Sequence, residues 1–189
     1  MLEMAILVGA IHSFKNTFYI KEQLGNRVKI SPIKVSKLLT LELIGSFSTI
    51  FLQGVIILGA ICLFYGVNVN INNILLILIL IGLLSVLAVS LGIFAASIGK
   101  KRTSGENICS FIVTAITLAS GQLTPQMSDS FDKISLVKLN PFLWISKELN
   151  NIVAYNKNEN LLMTIGISLL VFLILMIIST ILLKRKVVK

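Results

Sequence analysis

The chain has 189 residues, of which 56% are hydrophobic and only 13% charged, with a mean hydropathy of +0.93. Soluble domains are nearer half apolar and a quarter charged, and here the apolar residues gather in blocks too long for a soluble core. The net charge of +9 would suit a nucleic-acid partner, but the placement of the charges excludes that use and points to membrane topology.

In chain order, Met1 to Phe14 is apolar but too short to cross a bilayer, which takes about 20 residues at 1.5 Å rise each. It lacks the basic leading region and small-residue cleavage site of a signal peptide. It is expected to be the end of a span whose beginning is missing. Residues 15–37 form a basic cytoplasmic segment. Residues 38–66 cross outward with one charge, Glu42, and residues 71–99 cross back with none. Between them, Val67 to Asn70 and Asn72-Asn73 supply turn-forming residues suited to a headgroup boundary. Lys100 to Glu106 make a short inner loop, 107–124 cross again, and 161–183 return without a charge.

The outer segment 125–160 is expected to hold two short amphipathic helices broken at Asn140-Pro141. Met127, Phe131, Ile134 and Val137 recur at helical spacing before the break, and Phe142, Ile145, Leu149 and Ile152 after it. Trp144 and Tyr155 suit a membrane interface. The expected fold is therefore all-α and polytopic, a single domain over 1–189. It has four full transmembrane helices, a truncated N-terminal helix and short helices in the outer loop.

Thirteen of the 17 basic residues fall on one side of this layout, before the first full span, between the second and third, and after the last. Only Lys133, Lys138, Lys147 and Lys157 fall on the other. The positive-inside rule places the thirteen, and with them the C-terminus, in the cytoplasm. Small residues within the spans (Gly45, Ser46, Gly54, Gly59, Ala60, Gly82, Ser85, Ala88, Ser90, Gly92) are read as helix contacts.

Catalysis is not expected. His12 is the one histidine and has no clustered partner for a metal. No Walker loop is present, and Glu42 and Glu106 are isolated acids. Glu42 is about one turn into the membrane, where it can snorkel or pair with Lys37 or Arg102. Gln53 and Gln122 are candidates for interhelical hydrogen bonds or for lining a pathway. Cys62 and Cys109 have no zinc or redox spacing and read as packing residues. No cofactor is implied.

The cytoplasmic segment carries a family resemblance. Lys21-Glu22 is followed by Arg27-Val28-Lys29-Ile30-Ser31-Pro32-Ile33-Lys34 and then a long span. Downstream, Gly121-Gln122-Leu123-Thr124-Pro125 closes a span and Leu139-Asn140-Pro141-Phe142-Leu143-Trp144 follows. Together these resemble the ABC type-2 permeases, with the first transmembrane helix and part of the second lacking. Here Gly25 stands two residues before Arg27 with Asn26 where the family favours Thr. The resemblance implies a cell-membrane export permease without enzymatic activity of its own. It further implies a separate ABC ATPase contacted through Glu22, Arg27, Ser31 and Pro32, and a second permease half, identical or not. Pro125, Asn140, Pro141 and Trp144 would belong to the outer loop. The alternatives are a non-transporting polytopic protein, such as an immunity or sensor-type scaffold, or a non-functional remnant of a permease.

Overall fold

The computed structural model describes residues 2–27, 35–66, 71–99, 101–120, 140–155 and 160–187, all of them helical or in short connections. The helices are α1 (Leu2–Arg27), α2 (Val35–Tyr65), α3 (Ile71–Ile98), α4 (Arg102–Ala119), α5 (Pro141–Tyr155) and α6 (Leu161–Val187). Among the described residues there is no strand.

Three helices are long and apolar enough to cross a membrane: Lys37–Phe64 in α2, Asn73–Ile98 in α3 and Leu161–Leu183 in α6. These agree with three of the four expected spans. The expected fourth, 107–124, differs. Its helix α4 begins at Arg102, five residues early, and so includes Arg102 and Glu106. Backbone hydrogen bonding propagates a helix whether its side chains are apolar or not, so the apolar block marked only part of it. Residues 121–124 lie outside the described residues.

The N-terminal block also differs from expectation. α1 does not stop near Phe14 but runs on to Arg27, and Thr17 and Phe18 are as buried as Phe14. Residues 15–27, read as the start of a cytoplasmic segment, are therefore helical.

α3 is the centre of the bundle. Of its apolar window 56% is buried, against 11% for the windows of α2 and α6. α1 is its main partner, and α2 and α4 each touch both of these helices. α6 packs against α3 and α5 and more lightly against α2. The outward faces of α2 and α6 carry Leu41, Ile44, Leu52 and Ile56, and Leu169, Leu173, Ile177 and Ile181. In lipid such faces need no protein cover, because acyl chains are as apolar as leucine.

Close approach of α1 to α3 and α4 depends on glycine. A Cβ on Gly92 would stand 2.3 Å from the Ala10 carbonyl oxygen, and one on Gly105 would stand 2.8 Å from the Phe14 ring. Not every small residue has this use. Gly54, Ser85, Ala88 and Ser90 are buried as expected, but Gly45 and Gly59 face outward with nothing near them. Buried hydroxyls mostly bond within their own helix: Ser85 donates to Ile81 O, Ser90 to Leu87 O and Thr117 to Val113 O. This back-bonding satisfies a hydroxyl without a neighbouring helix. Ser13 is different, donating across to Val89 O at 3.3 Å.

Candidate functional site

The two poles of the bundle carry different chemistry. At one pole the end of α3 meets the start of α4, with Gly99 and Gly105 in contact. There Lys15 of α1 pairs with Glu106 of α4 at 3.1 Å, both partly exposed. The sequence places Lys15 in the basic cytoplasmic segment and leaves Glu106 an isolated acid. The ion pair joins two helices whose rotation the sequence does not reveal.

Glu42 sits on α2 near this pole, and its partners are not Lys37 or Arg102. Ser46 Oγ donates to its Oε1 at 2.5 Å, within α2 itself. His12 has its hydrogen-bond contact with Asn16, one turn on along α1, at 3.2 Å, and no group of metal-binding side chains forms among the described residues.

At the other pole, α5 closes against α3 and α6. Asn140 starts it: its Oδ1 accepts from the Phe142 N–H at 3.1 Å, and Pro141 takes the first helical position, where its missing N–H costs nothing. Asn140 Nδ2 also donates to Ser120 Oγ at the end of α4, at 3.4 Å. Phe142, Ile145, Leu149 and Ile152 are buried, as their spacing predicts, and Trp144 is half-buried. Ser146 donates to the buried Glu3 carboxylate at the start of α1. Glu148 is 2% exposed, and its Oε2 has no hydrogen-bond partner among the described residues. Glu3 and Glu148 fall in no motif, so nothing in the sequence alone marks them.

The remaining candidates separate clearly. Glu22 and Arg27 lie in the last turns of α1. Ser31, Pro32, Gln122 and Pro125 lie outside the described residues, as do Met127, Phe131, Ile134 and Val137 of the first expected amphipathic helix. Gln53 is exposed on α2, near mid-span.

One surface was not anticipated. The side of α4 turned away from α1 and α3 forms an open groove of about 500 Å³ lined by Thr103, Ser104, Asn107, Ile108 and Phe111. Thr114 and Leu118 continue the same exposed face. The groove mixes hydroxyl and amide groups with the apolar Ile108 and Phe111. The exposed face of α6 is built mainly from Leu and Ile, whereas that of α2 also carries Ser48, Thr49 and Gln53.

A family model described as ABC-2 family transporter protein matches residues 5–182. The chain belongs to the ABC-2 transporter family. Its apolar helices and this membership make it a multi-pass membrane protein and a permease component of an ABC transporter. Permeases of this family normally work with an ABC ATPase and a partner permease. No curated protein and no solved structure matches the chain. The ABC-2 match covers α1 through most of α6, so every described element falls within or overlaps it.

Proposed function

We propose that this ABC-2 chain is an export permease of the cell membrane that takes its energy from ATP hydrolysis on a separate ATPase subunit. The observation that carries the proposal is the family match over 5–182. The charge distribution supports an orientation with the C-terminus and the segment joining α1 to α2 in the cytoplasm. In this orientation α2, α3, α4 and α6 are the four crossings. α5, with Asn140, Pro141 and Trp144, belongs to the outer side.

Glu22, Arg27, Ser31 and Pro32 would form the contact with the ATPase, where exposed charge favours a complementary partner. The fold offers a route for the resulting motion. α1 carries this segment at its end and is locked to α3 and α4 through Gly92, Gly105 and the Lys15–Glu106 pair. Packed interfaces of this kind shift as units, so a push on α1 moves α4 with it. The groove of α4 would then line a pathway shared with a second permease half, whether identical or different. The substrate class is left open by these residues.

Replacing Arg27 and Pro32 with alanine tests the coupling contact in membranes that contain the cognate ATPase. Loss of ATPase co-purification from a normally inserted protein is the expected result. Retention would refute the contact and favour a non-transporting scaffold.

A further inference from the structure

The outward face of α2 is built for something other than lipid alone. Gly45, Thr49, Leu52, Ile56, Gly59 and Leu63 are all exposed, and the steps between them alternate four and three residues. This 3.5-residue period is the seam along which two helices interlock in a left-handed pair. Gly45 and Gly59 have nothing within 4 Å of the place a Cβ would take, so the seam lets a second backbone approach closely. It starts above Glu42, whose carboxylate is taken up by Ser46 of its own helix.

The leucines and isoleucines of this face are at ease in lipid, but Gln53 is not. It is exposed beside the seam and at least about 16 Å from either end of the apolar stretch Lys37–Phe64, too deep for its side chain to reach water. Ser48 and Thr49 satisfy their hydroxyl protons within the helix, donating to Ile44 O and Ser46 O at 2.9 Å each. The Gln53 amide has no such bond among the described residues, and a lone amide in hydrocarbon is strongly unfavourable. α6 has no counterpart: its exposed positions between 161 and 183 are Leu, Met, Gly and Ile only.

The same face holds the complement of Gln53. Two copies inserted alike run parallel, related by a twofold axis along the membrane normal. In a parallel pair, the residue preceding one seam position lies opposite the residue five further on in the other chain, where flanking side chains meet. Five residues on from Ser48 is Gln53. The Ser48 hydroxyl has given its proton to Ile44 O and keeps lone pairs that accept, so each Gln53 amide can donate to Ser48 of the other copy. We infer that this face of α2 pairs two copies of the chain, with Gln53 and Ser48 as reciprocal partners. α2 and α4 both pack on α1 and α3 but not appreciably on each other. The contact is therefore separate from the α4 groove, and it does not rest on the proposed function.

Cysteine crosslinking tests the pairing in native membranes and in liposomes of the purified chain, with Cys62→Ala and Cys109→Ala as background. Oxidation of Leu52→Cys and of Ile56→Cys gives a covalent dimer. Leu58→Cys, off the seam on α2, and Leu173→Cys, exposed on α6, give none. Gln53→Leu and Ser48→Ala each weaken dimerisation in liposomes about eightfold, the worth of two interhelical bonds, and the double variant weakens it no further. Gly59→Leu abolishes the dimer and leaves the unfolding midpoint of the single chain unchanged, because its side chain meets nothing in the bundle. Dimerisation undiminished in Gln53→Leu and Ser48→Ala overturns the inference, whatever Gly59→Leu does. Crosslinking at Leu58 as strong as at Leu52, no dimer at either seam position, or capture of a different membrane protein at Leu52 overturns it as well.

Discussion

Gly92 is the position where one methyl group does the most damage. A Cβ there would lie 2.3 Å from Ala10 O, 2.9 Å from Phe14 N and 2.9 Å from Ser13 Cβ. Two of these three atoms are backbone, so no rotamer change relieves the overlap. The α1–α3 contact must open by about 1 Å to reach ordinary van der Waals separation. Overpacking of this kind costs about 1–3 kcal/mol. The opening also breaks the Ser13 to Val89 hydrogen bond, adding about 0.6 kcal/mol, typical of interhelical bonds in membranes. The expected loss for Gly92→Ala is thus about 1.6–3.6 kcal/mol. Gly59→Ala is the matched control, since its Cβ meets nothing within 4 Å; the better helix propensity of alanine leaves it neutral or stabilising by up to about 1 kcal/mol. Reversible unfolding in mixed detergent–SDS micelles measures both. Labelling of Cys109, which is 1% exposed in the native bundle, provides a second readout. If the two variants fall within about 0.5 kcal/mol of each other, the account of the α1–α3 interface is wrong.

Three further outcomes are expected. Lys15→Met and Glu106→Gln each change stability by no more than about 1 kcal/mol, because the pair is partly exposed; the charge-swapped pair Lys15→Glu with Glu106→Lys should recover whatever is lost in the same unfolding assay. Ser146→Ala removes a hydroxyl donor from the buried Glu3 carboxylate, with an expected loss of about 1–3 kcal/mol and earlier proteolytic cutting within α5. Glu148→Met should raise the unfolding midpoint, because a buried carboxylate oxygen without a donor is replaced by an apolar group of similar size. A lowered midpoint would mean that Glu148 has a stabilising role that its surroundings do not show.

How much was legible varies along the chain for physical reasons. α3 could be bounded closely because it is a run of apolar residues with no charge, whereas α6 runs four residues beyond its uncharged stretch 161–183, through Lys184, Arg185 and Lys186 to Val187. α1 and α4 could not be bounded in this way. Lys15 and Arg102 mark contact with a polar environment, but a helix continues through such a boundary as long as its backbone bonds are made. Phe142, Ile145, Leu149 and Ile152 were readable from spacing because one short amphipathic helix has only one way to bury them. The glycines show the opposite case: Gly59 and Gly92 look alike in the sequence, and only the rotation of their helices makes one idle and the other indispensable. The same holds at the site. Lys15 and Glu106 were each recognisable as charged, but their pairing depends on how α1 faces α4. The groove of α4 escaped notice because Thr103, Ser104 and Asn107 read as loop and span edge until the helix aligned them with Phe111.

The central claim is that the segment between α1 and α2 meets an ATPase. A photo-crosslinking residue at Ser31, irradiated in intact membranes, tests it most directly, with the same group at Lys157 as the opposite-side control. The account predicts an adduct at position 31 with a subunit that mass spectrometry identifies as an ATP-binding protein, and none at position 157. An ATP-binding protein captured at 157, or only lipid at 31, would contradict it.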